Sequence, residues 1–319
     1  MIELNLTYSL GNQMFEYAYA KKMSLQYSEE LVINEYSASL VKFGEDLIFN
    51  KKIHPIKYKP SPLKSLNIKN KETVFIPVFK GRLYAFTNIT KWFLFRKFKN
   101  YKLHGAQNYK YNSKKGFFCN DDSLTFYEAS ECKRKTKHII GVFASPYYFS
   151  GIEDILKDEF QVTIAPSIEN KNMLNEIMNC NSVCVHIRRG DYYTDQYKDF
   201  QICTEKYYLR GMEYIASKVQ DPVFFIFSNN SEEINWIKHN YRFNSSLDIR
   251  YVDLNNPDYE ELRLMYNCKH FVISNSSFSW WAAFLAQYQK KIIVAPNKWI
   301  NGYGASIDCY TEDMVRIEV

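Results

Sequence analysis

The densest chemistry in the chain lies in VCVHIRRGDYY, residues 183–193, where an apolar run ends in His186, Arg188, Arg189 and Asp191. A planar guanidinium grips phosphate oxygens through two parallel bonds and neutralises negative charge growing on a leaving phosphate. Alternation along an extended chain sends His186 and Arg188 to one face and Arg189 to the other. Arg188 therefore reads as a phosphate ligand, whereas Arg189 with Asp191 reads equally well as a structural pair closing the turn. Three further segments give way from apolar runs to small polar residues. SLGNQ (9–13) offers Gly11, which lets a backbone approach a ligand, and Asn12, which brings both a donor and an acceptor; the same residues also make an ordinary tight turn with a helix cap. FIFSNN (225–230) ends in Ser228, Asn229 and Asn230, suited to ribose or base contacts and equally to capping a helix. The stretch 253–284 sets acids, Glu260 and Glu261 among them, before one helix and Asn275, Ser276, Ser277 and Ser279 at the start of the next, where hydroxyls and free backbone N–H groups suit a phosphate.

What is missing narrows the chemistry. None of the 14 Asp positions are two apart, so no Asp-x-Asp exists to bridge a metal to a diphosphate. No G-x-G-x-x-G and no P-loop occur, which removes dinucleotide oxidoreductases and P-loop NTPases. Diphosphate charge must then be met by Arg, hydroxyls and helix ends, and no metal is expected.

The elements that would position these residues alternate. IELNLTY reads as a strand, Gly11 as the turn, NQMFEYAYAKKMSLQYS as a helix with Met14, Tyr17, Ala18, Lys21 and Leu25 at helical spacing, and LVINEY as the next strand. From about 45 to 135 the pattern breaks into short runs separated by Pro and Gly, read as mixed helix and loop. Beyond 180, strands at SVCVHI, PVFFIFS, DIRYVD, HFVISN and KIIVAP alternate with helices at TEKYYLRGMEYIASKV, EEINWIKHN, YEELRLMYNC and FSWWAAFLAQY. That spacing implies a mainly parallel sheet covered on both faces, with its ligand crevice beyond the carboxyl ends of the strands. Trp280 and Trp281 read as packing rather than ligand stacking. Two domains, 1–165 and 166–319, fit a chain of 319 residues, too long for one small core.

Composition (46% hydrophobic, 24% charged) is that of a globular protein. No long apolar window or signal-like N-terminus is present, and the odd count of seven Cys lacks a C-x-x-C pair, so a reducing cytosol is the expected location. Residues 51–120 hold 17 Lys and Arg against one acid, Glu72, a balance of +16, while the rest carries 24 basic and 34 acidic residues, a balance of −10. This aromatic, basic insertion reads either as a contact with an anionic membrane, placing the protein peripherally on the inner membrane, or as a solvated skin over an aromatic core of its own. A nucleotide-sugar or nucleic-acid binding protein would use the same surface, with a steep salt dependence. The ordered Arg and Ser motifs argue against that reading, so no nucleic-acid partner is expected.

GNQMFEYAYA, VHIRRGDYY, YEELRLMYNCKHFVISNSSFSWWAAFL and IIVAPNKW, in this order, resemble the bacterial α-1,2-fucosyltransferases of glycosyltransferase family 11 over almost the whole chain outside 45–165. The resemblance implies a GT-B-like α/β fold: two Rossmann-like domains facing a central cleft, the first on the acceptor side and the second binding GDP-fucose. It implies an inverting, metal-independent transfer of L-fucose to the 2-hydroxyl of a terminal β-galactoside or lipid-linked glycan acceptor, with GDP-fucose as substrate and no cofactor. By resemblance Arg188 holds the β-phosphate, His186 and a later acid contact the guanosine part, and Asn12 approaches the fucose. Asp191 is the first choice for general base ahead of Asp195. Gly11, Ser228, Glu261, Asn275, Ser276 and Ser277 complete the expected donor contacts. The chain departs from the family twice. Ser9 replaces a glycine before the Gly-Asn-Gln turn, and Asn229-Asn230 replace an acidic pair, leaving Glu260 or Glu261 to take that role. A fucosyltransferase of another linkage, or a transferase of another GDP-sugar, shares the same motifs.

Overall fold

The computed structural model describes residues 1–7, 9–37, 59–68, 73–76, 83, 87, 105–120 and 122–319. Most of the basic aromatic insertion 51–120, including Lys97 and Lys99, lies outside them. The described chain forms two compact units: Met1–Phe160 with Ala305–Tyr310, and Gln161–Gly304 with Thr311–Val319. The sequence reading placed the crossing at 165/166. Phe160 draws it earlier, because its fully buried ring packs 5.7 Å from that of Tyr17 and so belongs to the first core.

In the first unit, β1 (Ile2–Asn5), β2 (Leu31–Asn34), β3 (Thr73–Phe75), β4 (Phe117–Phe118) and β5 (Lys137–Ile140) form a sheet of order β3-β2-β1-β5-β4 with every neighbouring pair parallel. All four residues of β1 are buried, as expected of a central strand covered on both faces. Helix α1 (Leu10–Tyr27) follows, with Leu10, Met14, Tyr17 and Ala18 fully buried. It ends where Ser28 turns left-handed (φ 51°) and its N–H returns to Leu25. Helix α2 (Gly105–Lys114) precedes β4, and α3 (Glu153–Glu159) closes the unit. Glu159 there meets two residues of α1 in the interior: Lys21 Nζ donates to Oε1 and the Tyr17 hydroxyl to Oε2, both at 2.7 Å.

In the second unit, β6 (Asn181–Ile187), β7 (Pro222–Ser228), β8 (Asp248–Tyr251), β9 (His270–Val272), β10 (Ile293–Pro296) and β11 (Met314–Ile317) form a parallel sheet of order β11-β10-β9-β6-β7-β8. Its helices are α4 (Ile168–Met178), α5 (Glu205–Ala216), α6 (Ser231–Asn240), α7 (Asp258–Tyr266) and α8 (Ser277–Leu285). Val183, Val185, Phe224, Ile226 and Val272 form one core with Tyr207, Met212 and Ile215 of α5. Gly211 lets α5 lie close, since a Cβ there would come within 2.7 Å of Val272. Trp280 and Trp281 of α8 are fully buried.

Candidate functional site

Each sheet reverses its building direction at one strand. In the second unit the chain adds β7 and β8 on one side of β6, then β9, β10 and β11 on the other. The connections leaving β6 and β9 therefore diverge, and a crevice opens at their carboxyl ends. Arg188 and Arg189 leave β6 at that point, and Ser274, Asn275 and Ser276 leave β9.

The two arginines, just beyond the end of β6, take separate sets of partners that the sequence did not reveal. Arg189 is 7% exposed; its Nε donates to Glu233 of α6 at 2.8 Å, and its guanidinium lies 3.2 Å from the centre of the Trp236 ring and 4.1 Å from that of Tyr193. A cation with a carboxylate and two aromatic faces is a structural rivet. Asp191 pairs instead with Arg188, whose Nη2 lies 2.9 Å from its carboxylate, which corrects the expected Arg189–Asp191 pair. The cause is Gly190: its left-handed φ of 49° folds Asp191 back toward Arg188, and a Cβ there would stand 3.0 Å from Asn229 Nδ2. Asn229 meanwhile accepts the Arg189 N–H at 3.0 Å. Arg188 lies 5.4 Å from the ring centre of Tyr192, whose hydroxyl donates to the Asn275 carbonyl at 3.0 Å. Its Nε is buried and has no hydrogen-bond partner. An unpaired buried guanidinium N–H is costly unless an acceptor arrives.

His186 and Asn275 face inward. His186 is 2% exposed, its Nδ1 stands 3.2 Å from Ser274 Oγ, and burial lowers its pKa to about 3, with Arg188 adding to the effect. It is a neutral imidazole fixing the β6–β9 junction. The Asn275 amide donates to the carbonyls of Phe200 (3.0 Å) and Trp299 (2.8 Å), and its oxygen faces Cys203 Sγ at 3.5 Å. That side chain, expected on the donor, is spent on two loops. Ser276 caps α8, its Oγ accepting the Phe278 N–H at 3.3 Å, and half-buried Ser277 is the first residue of that helix.

Beyond β7 and β8 a shallow depression, open to solvent, is lined by Ser228, Asn229, Asn230, Asp253, Asn256 and Glu261 among others. Ser228 donates to the Ile187 carbonyl at 2.8 Å, and Asn230 caps α6 by accepting the Glu233 N–H at 2.9 Å. Burial first, and Asp258 second, raise the Glu261 pKa to about 8. Of the two acids named from sequence, Glu261 lines the depression, whereas Glu260 lies 3.5 Å from Arg263.

In the first unit the sheet reverses at β1, with β2 on one side and β5 on the other, and the turn after β1 leads to Gly11 and Asn12. Gly11 is not the turn residue expected from sequence: it lies in the first turn of α1. The helix begins sooner because extended Ser9 (φ −102°) is its N-cap and offers its carbonyl to the N–H groups of Asn12 and Gln13. Extended backbone suits any residue, so Ser9 in a glycine's place imposes no strain. Asn12 is half-buried, and Gln13 accepts the Ser61 hydroxyl at 2.7 Å. Among the described residues no three His, Cys, Asp or Glu side chains converge to hold a metal ion, and no helix is long and apolar enough to cross a membrane.

Two α/β units with parallel sheets, the second carrying the buried, unpartnered Arg188 Nε at its switch point beside a serine-capped helix, make a Rossmann-like protein suited to an anionic ligand. The sequence matches Glycosyl transferase family 11 over residues 1–317, and the chain belongs to that family. An Escherichia coli protein named Alpha-1,2-colitosyltransferase is 36% identical over 184 residues, covering 56% of this chain and 62% of its own length. The chain thus spans less than two thirds of that relative. The O-antigen biosynthesis glycosyltransferase WbnK of Escherichia coli is 26% identical over 321 residues, covering 94% of this chain and 95% of its own. The human Galactoside alpha-(1,2)-fucosyltransferase 1 is 30% identical over 108 residues, 33% of this chain and 28% of that one.

Proposed function

We propose that this chain transfers L-fucose from GDP-β-L-fucose to the 2-hydroxyl of a terminal β-galactoside during surface-glycan synthesis, with inversion, without a metal and without a cofactor beyond its substrate. The observation that carries the reading is the buried Arg188 Nε–H with no acceptor at the carboxyl end of β6. A β-phosphate oxygen satisfies it, and the guanidinium then stabilises the charge that gathers there as the bond to the sugar breaks. The acceptor hydroxyl forms its bond to the anomeric carbon opposite the departing GDP and gives its proton to a base. Family membership and the α-1,2 linkage in the names of two relatives support this reading.

Asp191 is the proposed base; its bond to Arg188 (2.9 Å) holds it beside the leaving group, so in this role its carboxylate must exchange the guanidinium, taken by the β-phosphate, for the acceptor hydroxyl. Asp191→Asn as base lowers kcat by roughly 100- to 10,000-fold with GDP affinity retained. A rate within a few-fold of wild type leaves Asp191 only the task of holding Arg188.

The depression beyond β7 and β8 is assigned to the guanosine part, with Glu261 on the base. Guanine presents its ring N–H and exocyclic amine as donors, so Glu261 must receive it as a carboxylate. Since its pKa lies near 8, binding below that pH expels a proton. GDP affinity measured by calorimetry rises between pH 6.5 and 8, by up to about tenfold per pH unit, then levels; Glu261→Gln is weaker and flat. Affinity that falls across this range removes Glu261 from the base site.

The deciding experiment is GDP release from GDP-fucose with a panel of β-galactosides, with and without EDTA, and product linkage by NMR. A second reading, transfer of another GDP-linked sugar, is favoured by the 36% identity to a colitosyltransferase and is separated by offering other GDP-sugars in the same assay.

A further inference from the structure

One buried side chain of α1 ties that helix to the carboxyl end of β1. Glu16, fully buried on α1, accepts the Thr7 backbone N–H at Oε2 (2.9 Å) and meets the Thr7 hydroxyl at Oε1. Thr7 lies just past the carboxyl end of β1, and Glu16 sits four residues after Asn12, hence one turn below it on the same helix face. A hydrogen-bonded bridge therefore joins the end of β1 to α1 one helical turn from Asn12.

We propose that Glu16 is a positioning residue that fixes the β1–α1 turn, and with it Asn12, through its double contact with Thr7. The proposal rests on the assignment of Asn12 to the sugar-transfer site. The charged groups on the elements packed against α1 have partners of their own. Glu3 of β1 meets His138 of β5, Lys137 of β5 meets Glu29, Lys64 meets Glu35, and Lys21 of α1 itself meets Glu159. Tyr148, on the turn at 146–149, donates to the Thr125 carbonyl. Burial, partly opposed by the two bonds from Thr7, raises the Glu16 pKa from 4.5 to about 8. At neutral pH Glu16 is thus mostly protonated, with Oε1 bonded to the Thr7 hydroxyl and Oε2 accepting the Thr7 N–H. An amide reproduces that pattern: its NH₂ donates and its carbonyl accepts.

The test uses the full chain and three variants. Glu16→Gln retains kcat within about threefold, whereas Glu16→Leu lowers it about tenfold or more, with GDP affinity at wild-type level for both. Thr7→Val, which deletes the hydroxyl and keeps the N–H, falls between them and serves as the probe if Glu16→Leu does not fold. Urea unfolding supplies a second readout that needs no substrate. The folded chain keeps a proton that the unfolded chain releases above pH 4.5, so stability falls as pH rises from there to about 8, and Glu16→Gln removes its share of that fall. The proposal is overturned if folded Glu16→Leu or Thr7→Val turns over like wild type, if Glu16→Gln loses as much as Glu16→Leu, or if Glu16→Gln leaves the pH slope unchanged. Wild-type protein that turns over no GDP-sugar defeats the functional reading instead, and the unfolding slopes then decide the bridge.

Discussion

Arg188→Ala lowers turnover by about 100-fold or more, roughly 3 kcal/mol of transition-state stabilisation, while leaving the fold intact. The fold survives because the neighbouring turn is riveted by Arg189, not by Arg188: Glu233, Trp236 and Tyr193 all hold the former. The effect falls on kcat because charge on the β-phosphate grows as the sugar departs, so the lost donor matters most in the transition state. Arg188→Lys restores the charge without the planar fork and recovers only part of the rate. Single-turnover kinetics with GDP-fucose, beside a circular dichroism spectrum, make the measurement. Near-normal turnover in a folded Arg188→Ala protein removes Arg188 from the leaving group.

Lys21→Met destabilises the first unit by about 3–5 kcal/mol. Lys21 and Glu159 are both buried, 2.7 Å apart, and the remaining carboxylate oxygen takes the Tyr17 hydroxyl. Removing the lysine leaves a buried carboxylate with one neutral donor. The double variant Lys21→Met with Glu159→Gln carries no buried charge and recovers most of the loss, with Tyr17 still bonded to the amide oxygen. Urea titration of the three proteins checks this. A single variant as stable as wild type denies the pair its structural role.

Much of this organisation was legible because buried parallel strands announce themselves. PVFFIFS and SVCVHI are near-continuous apolar runs, as strands covered on both faces must be, and helices of ordinary length separate them. The placement of Arg188 and Arg189 at the end of a buried strand followed from the apolar run before them. Their partners did not, because a left-handed Gly190 reverses the chain within three residues and Glu233 arrives from 44 residues away. The same limit hid Asn275, whose amide is consumed by carbonyls 75 and 24 residues distant. Gly11 misled because a glycine before a helix reads as the turn, whereas an extended Ser9 makes it and leaves Gly11 inside the helix. Strand β11 escaped notice because MVRI is short, partly exposed and paired only with β10 at the sheet edge. Glu16 carried one signal: an acid flanked by Phe15 and Tyr17 in a run of apolar residues, a place where a charge is unwelcome.

The return of residues 305–310 to the first unit, before 311–319 add β11 to the second, sets the order of events during synthesis. The Asp308 N–H donates to the Leu124 carbonyl, its carboxylate accepts the Phe126 N–H, and the Thr125 hydroxyl donates to the Ser306 carbonyl. The ribosome releases these partners only after the whole second sheet except its edge strand has emerged. Neither unit is complete until residues 305–319 have been made, and a fragment ending at Phe160 lacks the strap that its own loops are built to receive.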